Sequence, residues 1–185
     1  MIWFTSDWHI GHDKPFIYES RGFSNIYDHD TEIIKRCNEK VKQDDVLWIL
    51  GDLALGQNEL EWNRVYQSIN CHNIHFILGN HDTNRKINIY ENRYDFILEG
   101  CANIIIYSKR KRFYLSHYPT ITDNFDDKIR PHIINLFGHT HQETNFFNNN
   151  PYMYHVGVDS HDMYPVSIVE IIKDINKKVE NIYEN

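Results

Sequence analysis

A layered α/β fold is predicted by three observations on this 185-residue chain. Short apolar runs alternate with stretches of helical periodicity through the first half, the order expected of a sheet flanked by helices. Most of these runs end in glycine or in a small cluster of Asp, Asn and His. The second half is richer in strand-like runs, with turn residues between them.

Taken in order, residues 1–6 (MIWFTS) form a buried strand that leads into Asp7-Trp8-His9-Ile10-Gly11-His12. Residues 28–43 are helical, with Ile33, Ile34, Cys37 and Val41 at helical spacing. Asp44-Asp45 opens a turn, and Val46–Leu50 is an apolar strand ending at Gly51-Asp52. Residues 58–69 return to helical spacing through Leu60, Trp62, Val65, Tyr66 and Ile69. Ile74–Leu78 is the next strand and ends at Gly79-Asn80-His81-Asp82, with a helix start over Thr83–Ile87. Ala102–Tyr107 and Arg112–Ser116 flank the basic turn Ser108–Lys111 and read as a hairpin. His132–Phe137, Tyr152–Val158 and Pro165–Ile172 supply further strands. Asn148-Asn149-Asn150-Pro151 is a loop, and the tail after Lys173 is a short helix or a frayed end.

The length suits one domain over residues 1–185, and an apolar fraction of 41% is enough for a core. No apolar stretch of about 18 residues is present and no basic, then apolar, leader is visible, which predicts a cytoplasmic protein without membrane attachment. Cys37, Cys71 and Cys101 are odd in number and widely spaced, as reduced, partly buried thiols are, and do not form a zinc-thiolate site. A net charge of −7 argues against stable binding along a nucleic-acid backbone. It leaves a phosphate substrate open, because bound cations reverse the sign inside a cleft. Trp3, Trp48 and Trp62 are most simply core, and His155 and His161 are surface or loop residues.

Polar groups suited to metals follow the apolar runs at Asp7-x-His9, Gly51-Asp52, Gly79-Asn80-His81-Asp82, His117 and Gly138-His139-Thr140-His141. Each alone is an ordinary turn; together, in this order, they are not expected by chance. Asp7 and His9 stand at i and i+2 of an extended segment and are expected to share a face, as are His139 and His141. Imidazole with carboxylate suits Mn, Fe, Zn or Co better than calcium. Glycines before Asp52, Asn80 and His139 permit the tight turns that such loops need.

The pattern DxH … GD … GNHD … H … GHxH resembles the calcineurin-like metallophosphoesterase superfamily over most of the chain. Ser6–His12 (SDxHxGH), Val156–Asp159 and Pro165–Ser167 are similar to the small bacterial and phage members. The resemblance implies a four-layer α/β/β/α sandwich and a centre of two divalent transition-metal ions. Manganese is the first expectation, with iron, zinc, nickel or cobalt as alternatives. Carried over motif by motif, Asp7, His9, Asp52 and His141 would hold one ion, with Asp52 bridging to a second completed by Asn80, His117 and His139. The implied reaction is in-line attack on phosphorus by a metal-bridging hydroxide, with His81 as general acid or transition-state donor. Asp82 would orient His81 or cap the following helix.

His12 and Arg21 fall in stretches resembling that subgroup and are candidates to contact the substrate phosphate, as is Arg85 just after GNHD; the alternative is a loop histidine satisfied by backbone and two surface arginines. Tyr118-Pro119 is a candidate substrate wall, Asp159 reads as structural, and Lys109–Arg112 as a charged hairpin turn. After Gly51-Asp52 the chain reads Leu53-Ala54-Leu55-Gly56, without the Asp-Arg-Gly of protein Ser/Thr phosphatases, which disfavours that activity. No cap domain is visible, so an open cleft suited to phosphodiesters of nucleotide type is expected. A phosphomonoesterase of a small metabolite or nucleotide is the alternative. A non-catalytic scaffold is disfavoured because the whole ligand set is present.

Overall fold

The computed structural model describes residues 1–56, 58–108, 111–120, 133–142 and 150–183. The elements run β1 (Ile2–Thr5), α1 (Pro15–Tyr18), α2 (Ile26–Lys40), β2 (Val46–Leu50), α3 (Glu59–Ser68), β3 (Asn73–Ile77) and α4 (Asn84–Arg93). They continue as β4 (Ile97–Leu98), β5 (Ala102–Ser108), β6 (Lys111–Ser116), β7 (Ile133–Phe137), β8 (Met153–His155), β9 (Val166–Ser167) and α5 (Ile168–Tyr183), with a 3-10 turn at Val158–Ser160.

These strands make a sheet of order β4-β3-β2-β1-β9 and a second of order β5-β6-β7-β8. β1 to β4 pair in parallel and β9 joins antiparallel. In the second sheet β5 and β6 form the expected hairpin, and β6, β7 and β8 are parallel. Leu47, Ile49, Ile74 and Phe76 pack with α2, α3 and α4 on one face of the first sheet. Their neighbours Trp48, Leu50 and Ile77 face the other way, into a core shared with Phe113, Leu115, Ile134 and Leu136 of the second sheet. Burial on both faces is why these strands read as continuous apolar runs. Among the described residues, two sheets and five helices give the α/β architecture of the layered sandwich expected from the sequence.

Register brings the site together. Thr5 pairs with Ile49 and Leu50 with Ile77, so β1, β2 and β3 end level with one another. Leu115 pairs with Leu136, which levels β6 and β7, and a Ser6–Gly157 bridge joins the two groups of ends.

The helices begin where short polar side chains cap them. Asn25 accepts the Asp28 amide at 2.9 Å before α2, and Asn58 accepts the Leu60 amide at 3.1 Å before α3. α5 corrects the strand expected over Pro165–Ile172. Glu170 accepts the Ser167 amide at 2.8 Å and its hydroxyl at 2.6 Å, while its own amide reaches the Ser167 oxygen at 3.2 Å. This reciprocal cap turns the chain into a helix after two strand residues, and Ile168, Ile171 and Ile175 are buried along it. α4 runs well past Ile87, and β8 is shorter than the strand expected over Tyr152–Val158. His132, Lys109-Arg110 and Asn148-Asn149 lie outside the described residues.

Candidate metal centre

The ligand candidates do not sit on extended chain. Asp7, His9, Asp52, His139 and His141 all have positive φ, between 47° and 69°. Asp and His tolerate the left-handed region better than most residues, which suits them to these corners. The expectation that Asp7 and His9 share a face by strand alternation is therefore corrected. They converge because the backbone coils back at both positions, while Trp8 between them is buried and donates to the Thr5 hydroxyl at 2.8 Å.

Backbone bonds lock the loops side by side. The Asp7 amide donates to Gly51 O at 3.2 Å and the His9 amide to Asp52 O at 3.0 Å. The Asp7 Oδ2 accepts from Ser6 Oγ at 2.5 Å and from the His139 amide at 2.9 Å. A β-carbon at Gly138 would run into Ser6 Oγ and Asp7 Oδ2, and one at Gly79 into the Asp52 carboxylate. The approach of these loops needs glycine at both positions.

What remains unpaired is informative. Asp7 Oδ1 is buried without a hydrogen-bond partner and lies 3.7 Å from His141 Nε2. His9 Nε2 lies 3.1 Å from His141 Nε2. Donor atoms of Asp7, His9 and His141 fall within 4.8 Å of one another, and so do those of Asp7, Asp52 and His117. Across the site, His117 Nε2 and His139 Nδ1 are 3.2 Å apart, and each is 2.9 Å from Asn80 Oδ1. Asp52 Oδ2 sits between the halves, 3.9 Å from His9 Nε2 and 3.5 Å from His117 Nε2. Lone pairs converging on one space, with an orphaned carboxylate oxygen among them, fit divalent cations.

Burial sets the protonation of these groups in the protein without metal. It pushes His9 down to about 2, lowers His139, and raises the Asp7 carboxyl against the pull of His141 and His117. Burial also works against a charged His141, but the Asp159 hydrogen bond and the charges of Asp7 and Asp159 outweigh it and raise that imidazole.

The remaining candidates separate. The His81 ring is 43% exposed, with Nε2 4.0 Å from Asp52 Oδ2. Its amide donates to Asp52 Oδ1 at 2.9 Å. His12 stands next to His9, ring centroids 5.6 Å apart, with Phe16 on its other side at 5.4 Å. Asp82 neither orients the His81 ring nor caps α4, whose N-cap is Thr83. Its Oδ2 instead accepts the amides of Asp52, at 3.0 Å, and Gly79, at 2.7 Å, and so fastens two ligand loops together.

Arg21 is corrected as a substrate contact. Its side chain is 4% exposed and is taken up by Asp159, by the carbonyls of Asp7 and Trp8, and by His29. Arg85 points away from the centre to Glu59, at 2.6 Å, beside Arg93. His155, read as a surface or loop residue, is buried, whereas His161 is half-buried in the turn after Ser160. His155 bonds Ser160 and lies against Phe137, and His161 stacks on Tyr154 at 5.7 Å and donates to His155 O at 2.8 Å. Sequence reasoning passed over Lys86, which is buried and donates to Ala54 O at 2.5 Å and His81 O at 2.7 Å. Its position on the apolar face of α4, with Ile89 and Tyr90 at i+3 and i+4, was the available signal.

This constellation, at the carboxyl ends of strands from two sheets, is a candidate centre for divalent metal ions. Residues 1–158 match the calcineurin-like phosphoesterase superfamily domain. The chain is 31% identical to the Gene 66 protein of Mycobacterium phage D29, covering 95% of this chain and 98% of that protein. It is also 31% identical to the uncharacterized protein MJ1445 of Methanocaldococcus jannaschii, covering 95% and 92% of the two chains. Among solved structures, the protein of unknown function AQ665 from Aquifex aeolicus superposes with a TM-score of 0.67 at 24% identity, covering 94% of this chain and 98% of that one, and so shares its fold. The chain belongs to the calcineurin-like phosphoesterase superfamily and is a metal-dependent hydrolase of phosphoester bonds. No helix among the described residues is long and apolar enough to cross a membrane.

Proposed function

We propose that the protein is a binuclear phosphodiesterase of nucleotide-like substrates. The observation that carries the binuclear reading is the place of Asp52. Its Oδ2 faces His9 on one side and His117 on the other, within 3.9 Å of both imidazole nitrogens. Asp7, His9, Asp52 and His141 would hold one ion, and Asp52, Asn80, His117 and His139 the other. Two divalent ions, manganese first, supply Lewis acidity toward the phosphoryl oxygens and ease deprotonation of an attacking water.

The side chains of this protein do the rest. His81 is open to solvent beside the centre and protonates the leaving oxygen, or donates a hydrogen bond to it. Lys86 holds the carbonyl of His81 and keeps that loop in place. His12, between His9 and the 68%-exposed Phe16, contacts a phosphoryl or ester oxygen. Phe16 at one rim and Tyr118 at the other, 47% exposed and 4.7 Å from the His139 ring, are platforms for a planar base. These two aromatics favour a nucleotide over a small metabolite without a base. Free cysteines at Cys37, Cys71 and Cys101 suit a cytoplasmic setting.

Three measurements test this. Chelation should abolish hydrolysis of bis-p-nitrophenyl phosphate and Mn²⁺ should restore it; activity that survives chelation overturns the metal role. A panel of nucleotide diesters, cyclic nucleotides and monoesters should show higher kcat/KM for diesters, and a preference for monoesters would install the alternative. His81→Ala should lower kcat by roughly 10²–10⁴-fold with metal content unchanged. Loss of metal in that variant would make His81 a ligand instead.

A further inference from the structure

Among the described residues, one half of the centre has a ligand imidazole bonded to a carboxylate outside the ligand set, and the other half does not. His141 Nδ1 lies 3.0 Å from Asp159 Oδ2. Asp159 also receives Arg21 through both carboxylate oxygens, Nε at 2.8 Å and one terminal nitrogen at 2.9 Å. The same guanidinium donates to the carbonyls of Asp7 at 2.8 Å and Trp8 at 3.2 Å. Its other terminal nitrogen is 2.8 Å from His29 Nε2, and His29 Nδ1 is 2.8 Å from Asp30 Oδ1. The second oxygen of Asp30 accepts the Gly11 amide at 3.0 Å. One buried chain of charge therefore runs from His141, under the Asp7–His9 loop, to Gly11. Its hydrogen bonds are mutually consistent: Arg21 can only donate, so His29 Nε2 accepts and His29 Nδ1 donates to Asp30. Asp159 can only accept, so the His141 proton sits on Nδ1 and the Nε2 lone pair faces Asp7 Oδ1 and His9.

The opposite half is held differently. His117 Nδ1 donates to the neutral carbonyl of Leu50 at 2.8 Å, and His139 presents Nδ1 itself to the site. On this asymmetry we propose that Asp159 and Arg21 are positioning residues of the Asp7–His9–His141 ion alone. They hold the His141 tautomer and the Asp7 loop, so the affinity of that ion depends on them while that of the Asn80–His117–His139 ion does not. The inference rests on the binuclear reading above. A carboxylate bonded to the far nitrogen of a ligating imidazole typically carries about 10–100-fold in metal affinity.

The experiment is Mn²⁺ titration of metal-stripped wild type, Asp159→Asn and Arg21→Lys, followed by calorimetry and by the spin-coupled manganese EPR signal of a two-ion centre. Asn keeps the size and one acceptor oxygen, and Lys keeps the charge without the fork, so both variants retain most of the packing. The expected result is two ions in wild type, one of them weakened by about 10–100-fold in each variant. The coupled signal should give way to that of isolated Mn²⁺ at intermediate loading. In a His141→Ala background, Asp159→Asn should add little, because its effect passes through that imidazole. Equal weakening of both ions, or wild-type affinity at both, overturns the inference. Wild type that takes up a single ion overturns the binuclear reading instead, and the two failures are thereby told apart.

Discussion

Lys86 shows how much a single side chain outside the ligand set contributes. It carries a positive charge into a buried position, where burial lowers its pKa, and it binds the carbonyls of Ala54 and His81. Lys86→Met keeps the aliphatic stem but leaves both carbonyls unpaired, at a cost of about 1–3 kcal/mol each if buried. We expect a lower denaturation midpoint and a kcat reduced more than KM is raised, with metal stoichiometry unchanged, measured by denaturant titration and steady-state kinetics. Gly138→Ala should be harsher, because the new methyl group meets Ser6 Oγ and Asp7 Oδ2 and must displace a candidate ligand; metal uptake should fall even where the fold survives. At this scale the candidate ligands, which the structure brings together, were the most legible part of the sequence. A plain turn needs one polar residue, whereas carboxylate, amide and imidazole groups recurring after apolar runs are what a metal centre needs. Asp159 and Arg21 were not legible in this way, because an ion pair spanning the chain leaves no local pattern.

Single elements were legible where one periodicity dominated. α2 and α3 kept close to their expected bounds because apolar residues recur at helical spacing behind an Asn cap. α5 was misread at its start because Val166 and Ile168 look like a buried strand, and isoleucine-rich sequence favours strand and helix core alike. Ser167-x-x-Glu170 was the signal that decides between them. Ile175 is wholly buried in the core between the sheets, so Ile175→Ala should cost roughly 2–5 kcal/mol in chemical denaturation. Metal content and kcat should stay near wild type, because α5 carries no ligand.

For the molecule as a whole, buried neutral histidines tie stability to pH. His155 is held down at about 3 and His9 at about 2 by burial, against about 6.5 in an unfolded chain. Between those values the unfolded chain binds protons that the folded one refuses, so stability falls as pH drops from about 6.5 toward 3 and is flat above it from these groups. The raised Asp7 and His141 act in the opposite sense. Denaturant midpoints of the metal-free protein should therefore decline steadily below about pH 6, and His155→Gln should flatten that decline. Saturating Mn²⁺ should raise the midpoints at neutral pH and lose its effect in acid, where protons compete for the same imidazoles. The left-handed corners at Asp7, His9, Asp52, His139 and His141 give this dependence an evolutionary side. Glycine adopts that conformation without a Cβ clash, so drift from one of these residues to glycine would relax the backbone while removing the side chain. A lineage released from selection on catalysis is therefore free to lose these side chains while the backbone at the corners is kept.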